Sequence, residues 1–553
     1  MEVRLLLAFV LMGLVLFLTP YFYKQPPAPA NKPAPAQVQP TSGQSGAGTT
    51  AAAIPPPSSE AAEVPGQIQA ASEEAFTIDT DLYRVQFSNR GAVVRSWILK
   101  QYKDRENKPV DLVNTRALAK APAPFSLYFK GQAPGDFNNV LFQVQRPDSL
   151  TVNFEFSDGK TEVKKSFKFG QKSYEVAISS EVLQNGGGVP HALEWRGGFG
   201  DQSVVNPANY ENALFYDVTN AKLVVKPVKD AKDGPVSIAG QYSFAGLQDS
   251  YFAGVFLPEG RSLVELTEFA DTVPNAAGAE EQRVGAAVGG EGSNRFTLFA
   301  GPKDYDLLGK INPKLETLVD WGWFGFLAKP LFIVLNWTAD HIVHNYGWAI
   351  ILVTIGINIL LFPLKITSLK SSKKMQAIQP LVNQINEKYK GIPVRDPRQA
   401  QKNEELMDLY KKYGINPLGG CLPMLLQIPF FYAYYKVLQV AIEMRGASFL
   451  WVHDLSQPET LAIRILPVIL VITQFVSQKM TPPSPGMDPA QQKMMMFMPL
   501  LFGYMFYFAS AGLVLYWLTS NVVGIVQQWL LNRGTPAPVV DIPKPPAKKK
   551  NRN

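Results

Sequence analysis

The chain has 553 residues and a formal net charge of +7, with 46% hydrophobic and 18% charged residues, which is too long for one ordinary domain. Its one cysteine, Cys421, excludes a disulfide framework, so an extramembrane domain must be held by its own core. Residues 24–320 carry 29 Lys/Arg against 34 Asp/Glu and all other residues 24 against 12, a split that points the basic part at lipid headgroups or RNA phosphate and sets the acidic part in another compartment.

Residues 5–23 are the first apolar stretch. Pro20, Tyr21, Phe22, Tyr23 and Lys24 follow at once, where a signal peptidase needs small residues, so residues 1–23 are expected to be an uncleaved transmembrane anchor. Residues 24–75, rich in Pro, Ala, Gln, Gly and Ser, bury too little surface to offset chain entropy and are expected to be a disordered linker.

From Phe76 the pattern alternates: Thr77 to Phe87, a turn at Asn89-Arg90-Gly91, then Val93 to Leu99. Similar runs recur at 150–156, 166–169, 174–178, 223–225, 251–256 and 295–299, which predicts a large antiparallel β-sandwich over residues 76–312. After Asn312-Pro313, residues 313–345 mix Trp321, Trp323 and Trp337 with Lys314, Asp320 and Lys329, the pattern of an interfacial amphipathic helix. His341 and His344 stand three apart there and read as headgroup contacts rather than metal ligands.

Four apolar stretches follow, at 346–364, 421–442, 461–478 and 494–532. The last would be about 58 Å long as one helix, twice a hydrocarbon core, so it must fold back near Ser510-Ala511-Gly512. Six spans result. The loop 365–412 carries 11 Lys/Arg against 5 Asp/Glu and the tail after Asn532 carries 6 against 1, which places both termini in the cytosol and the acidic block outside, in a periplasm. Within 365–413, Ile378, Leu381, Ile385 and Tyr389, then Leu406, Leu409 and Tyr413, have helical spacing and predict a cytosolic helical hairpin.

No Walker loop, HExxH or GxSxG occurs, so no enzyme, cofactor or metal site is expected. The informative residues are polar groups inside spans: Thr354, Asn358, Gln427, Gln474, Ser520 and Asn521, with Gln527 and Gln528 below. Their shared depth in the inner half fits a wet cavity open to the cytosol, or amides bridging helices. Lys436, deep in its span, is expected to snorkel outward.

Between Tyr410 and Tyr435 the chain reads YKKYGINPLGGCLPMLLQIPFFYAYY, with FPL at 362–364, FLWVHDLS at 449–456, QQKMMMFMP at 491–499 and GLVLYW with SN across 512–521. This set closely resembles the YidC family of membrane protein insertases. The resemblance implies a periplasmic β-super-sandwich after the first span and a five-helix insertase core, here 346–533, enclosing a hydrophilic groove. It also implies nucleotide-free insertion and chaperoning of nascent membrane proteins in the bacterial inner membrane, beside the secretion translocon and the ribosome. Leu425, Ile428, Phe431, Leu513, Tyr516 and Trp517 would form the face along which a client slides. The basic tail 534–553 and the hairpin would suit ribosomal RNA or anionic lipid; no small-molecule substrate is implied. The family's second span usually carries an arginine in the groove, and the FPL alignment puts Asn358 there instead. The alternative, a solute transporter with a periplasmic ligand-binding domain, calls for an internal repeat or paired half-helices, which the sequence lacks.

Overall fold

The computed structural model describes residues 66–204, 206–260, 263–391, 396–414, 422–480 and 489–534. The expected anchor 1–23, most of the linker 24–75, Cys421 and nearly all of the tail 534–553 lie outside the described residues.

The N-terminal part is β-rich and every strand pair in it is antiparallel. An 11-stranded sheet has Glu175–Gln184, Ser293–Pro302 and Phe252–Pro258 side by side at its centre. A 5-stranded sheet carries Val264–Pro274 and Glu280–Gly289, and a 4-stranded sheet starts from Ala75–Asp79 and Tyr83–Ser88. The alternating run read as one strand from Thr77 to Phe87 is thus a hairpin. Thr80 breaks it: its hydroxyl accepts from the Tyr83 N–H and donates to the Tyr83 carbonyl, closing a tight turn. The three sheets share one core, with Trp97, Phe125, Phe167 and Phe199 fully buried. Lys165 lies inside it and donates to the carbonyls of Gly91 and Phe125, each at 2.8 Å. The same core takes in Leu308, Leu315, Leu318 and Val319, so apolar packing carries the sandwich a few residues past Pro313.

Helix α1, Tyr305–Ile311, is capped by Asp304, and α2, Gly325–Thr338, follows. One face of α2 buries Ala328, Leu331, Phe332 and Leu335, while Trp323 just before it is 92% exposed and Phe326 and Trp337 are also exposed. An apolar residue on both faces suits a helix covered by protein on one side and by lipid on the other. Then come α3 (Tyr346–Leu360), α4 (Phe362–Ala377), α5 (Gln379–Lys388), α6 (Arg398–Lys412), α7 (Leu422–Val440), α8 (Ile465–Met480), α9 (Pro489–Tyr507) and α10 (Ala511–Gly534). The fold-back falls at 508–510, just before the expected position.

Among the described residues no single helix is long and apolar enough to cross a membrane on length and composition; α2 with its π-turn and α3 reach that measure only as a pair bent by 119°. At 16 residues α8 spans about 24 Å, and α7 and α10 carry the polar residues singled out above. Helices α2, α3, α7, α8, α9 and α10 share a second core around Leu335, Ile350, Tyr434, Leu470, Phe506 and Val514. The hairpin packs through the expected Ile378, and through Val382 rather than the expected Leu381 and Ile385, against Leu406, Leu409 and Tyr413.

Candidate functional site

Two polar clusters lie inside the helical bundle and meet at Ser520. The first is a cavity of about 250 Å³. Gln427 on α7, Gln474 on α8, and Ser520 and Asn521 on α10 supply its polar wall, while Ile428, Phe431, Tyr516 and Trp517 supply its apolar wall. The Asn521 amide donates to Gln474 Oε1 at 2.7 Å. The aromatic wall is built by interlocking rings: Phe431 meets Trp517 edge-on at 4.6 Å, and Trp517 packs on Phe506 at 4.9 Å.

The second cluster is more deeply buried. Thr354 is fully buried and Asn358 is 3% exposed. Thr354 bonds back to the Ile350 carbonyl at 2.6 Å, and the Asn358 amide donates to the Thr354 carbonyl at 2.8 Å and to Ser520 Oγ at 3.4 Å. Gln527 on α10 donates to the Asn358 carbonyl at 3.1 Å. Into this cluster comes Lys365 from α4, donating to Asn358 Oδ1 at 2.8 Å and Gln527 Oε1 at 3.2 Å. Among the described residues no carboxylate pairs with Lys365, so its charge is held by neutral oxygens alone.

Thr354 and Asn358 therefore do not line the cavity. Of the expected client-facing residues, Leu513 is 6% exposed and lies one turn before Tyr516, outside the cavity lining; the Leu425 side chain lies outside the described residues. Lys436 reaches Asp320 at 3.4 Å, at the sandwich end of the bundle. His341 stacks on Trp337 at 5.7 Å. The residue that sequence reasoning left out is Lys365. It follows Asn358 by seven residues, two helical turns, which is the spacing that would have put both on one face.

Among the described residues no nucleophile and base converge there. The cavity offers amides and a hydroxyl on one side of the hollow and a greasy wall on the other. Such a surface accepts a segment that is polar at one end and apolar along its length.

Comparison with known proteins agrees on both halves of the chain. Residues 75–334 match the family model described as YidC periplasmic domain, and residues 337–537 match the one described as 60Kd inner membrane protein. The protein of Syntrophus aciditrophicus (strain SB) named "Membrane protein insertase YidC" is 33% identical, covering 96% of this chain and 100% of the relative. The protein of that name from Geobacter metallireducens is 35% identical, covering 97% and 99%. A solved structure described as "Active YidC insertase crystal structure with the first transmembrane domain resolved" covers 83% of this chain and 94% of its own, at 19% identity and a TM-score of 0.36.

Proposed function

The chain belongs to the YidC family of membrane protein insertases, and we propose that it moves newly made transmembrane segments from the cytosol into the bacterial inner membrane, and chaperones them there, without nucleotide hydrolysis. Membership makes it an inner-membrane insertase with a large β-rich periplasmic domain and a helical C-terminal region. In the proposed arrangement the chain spans the bilayer six times, with both termini cytosolic and the sandwich in the periplasm.

The observation that carries the mechanism is the two-sided cavity between α7, α8 and α10. The polar flank of a client rests against Gln427, Gln474, Ser520 and Asn521 instead of lipid tails, which lowers the barrier because less polar surface crosses bare hydrocarbon. The client's apolar length follows Ile428, Phe431, Tyr516 and Trp517 into lipid, and its burial there drives the reaction. Thr354 and Asn358 serve as the buried anchor of the groove and hold Lys365, whose charge attracts acidic client residues. Nascent membrane proteins and lipid are the partners; the secretion translocon and the ribosome are proposed neighbours, with the basic hairpin 365–413 and the tail facing ribosomal RNA.

The test is reconstitution of the purified protein in nucleotide-free liposomes with a small single-span client. Insertion well above that in empty liposomes is expected; a rate no better than theirs removes the proposal.

A further inference from the structure

A second, larger cavity lies where the sandwich meets the helices, about one helical turn beyond the first along α7 and α10. Its volume is about 580 Å³, within the ~300–1,000 Å³ usual for small-ligand pockets. Two arginines line it and no acidic residue does. Arg105 comes from the sandwich, on the turn after Val93–Lys103, and donates to Gln457 at 2.6 Å. Arg464 precedes α8, donates to the Tyr507 carbonyl, and packs its guanidinium 4.7 Å from the Tyr507 ring centre and 5.5 Å from that of Phe508. Among the described residues neither arginine has a carboxylate partner. Tyr251 and Ser456 line the same hollow.

The rim is apolar where Arg464 stands. Leu461, Ile463 and Phe508 are 41%, 72% and 60% exposed. A half-buried and an exposed cation beside exposed apolar side chains, at the end of helices that cross a bilayer, match an amphiphile with an anionic head. We propose that this cavity holds the phosphate headgroup of an anionic phospholipid from the outer leaflet, with Arg464 and Arg105 as phosphate ligands and the acyl chains running down past Ile463 and Phe508. Arginine suits this task because its planar fork meets phosphate oxygens in pairs and stacks on aromatic rings while doing so. The site rests on the reading of these helices as membrane-spanning, and not on the polar wall of the groove.

The test is native mass spectrometry of the full chain in maltoside micelles, titrated with dioleoyl phosphatidylglycerol, dioleoyl phosphatidylcholine or inorganic phosphate. Phosphatidylglycerol is expected to be retained over phosphatidylcholine. The double variant Arg105→Gln/Arg464→Gln is expected to weaken phosphatidylglycerol binding about tenfold, with phosphatidylcholine unchanged. Arg464→Lys, which keeps a charge, should retain most of the binding and controls for folding. Undiminished phosphatidylglycerol binding by the double variant, or no headgroup preference in the wild type, overturns the proposal. Displacement of the lipid by millimolar inorganic phosphate assigns a free-anion site and also overturns it. A double variant that loses the lipid yet still inserts the client supports the lipid site independently. Failure of client insertion alongside retained phosphatidylglycerol counts against the groove and supports this site.

Discussion

Lys365 Nζ lies 2.8 Å from Asn358 Oδ1, across the break between α3 and α4, so an amide on one helix anchors the cation of the next. Lys365 thus brings a positive charge to Asn358 from two turns further along the chain. Asn358 is then a holder of charge.

Two substitutions separate holding from charging. Lys365→Gln keeps a polar group but removes the charge, and is expected to slow clients with acidic leading ends about fivefold, from ~1 kcal/mol of lost attraction, while neutral clients are little affected. Asn358→Leu leaves the Lys365 ammonium short of one oxygen and is expected to lower the unfolding temperature in detergent, at a cost of about 1–3 kcal/mol, as well as slowing every client. Equal slowing of acidic and neutral clients by Lys365→Gln would return this lysine to a structural role.

The Gln474–Asn521 pair distinguishes a wet groove from amides acting as glue. If water reaches the cavity, either Gln474→Leu or Asn521→Leu leaves a partner that water can satisfy, so stability changes little and insertion slows. If the pair is dry glue, each single change costs about as much as the double, and the coupling in a double-mutant cycle reaches ~0.6 kcal/mol or more. The expected outcome is slowed insertion with weak coupling, read from chemical unfolding in micelles beside the liposome assay.

Much of this was legible before any coordinates. Residue spacing located α3, α7, α8 and the α9–α10 hairpin, because apolar runs bounded by Pro, Gly and charge are long-range signals in a helical bundle. The cavity's eight lining residues were all singled out as polar or greasy positions on α7, α8 and α10. What spacing does not carry is rotation: that Asn521 turns to Gln474 while Asn358 turns inward to Lys365 depends on how four helices pack. A lysine opening a basic loop also looks like an ordinary solvated charge. The strands at 264–274 and 280–289 hid for another reason. Buried Thr267, Glu268, Asp271 and Arg283, with the small Gly285, Ala286 and Ala287, erase the apolar-polar alternation that marks a strand.

Those buried charges give the sandwich a pH signature. Burial pushes the Glu268 carboxyl up to about 7, with Asp230 adding to the shift, and neither of its oxygens has a hydrogen-bond partner. Burial likewise lifts Glu194 to about 7 against the pull of Arg196. Both carboxyls hold protons more tightly folded than unfolded, so their stabilisation is full below pH 4.5 and is lost as pH rises through 7. Lys165 acts above that window: burial lowers it from 10.5 to about 7, so stability recovers as pH rises from 7 towards 10.5. Thermal unfolding of the full chain in detergent should thus show a lower midpoint at pH 7 than at pH 5. Glu268→Gln should raise the pH 7 midpoint and flatten the slope without abolishing it; an unchanged slope would mean that Glu268 ionises at the same pH folded and unfolded.

Arg445 is the joint between the two halves of the molecule. It leaves the loop after α7 with its side chain 5% exposed, pairs with Asp201 of the sandwich, whose side chain is 3% exposed, and donates to the Lys103 carbonyl. Its guanidinium packs 5.4 Å from the Tyr251 ring centre and 5.3 Å from that of Phe252. A buried pair of this kind gives little net stability over an apolar contact, but removing one member strands the other charge at a cost of about 3–5 kcal/mol. Asp201→Ala and Arg445→Ala should therefore each loosen the sandwich from the helices, seen as faster protease cleavage in the 441–464 connection, whereas the double change should cost less than the sum of the two. Because this joint sits at the far end of the bundle from the groove, both variants should insert the client at close to the normal rate once folded. A loss of insertion matching the loss of docking would mean that the sandwich sets the position of α7 and, through Gln427, the width of the groove.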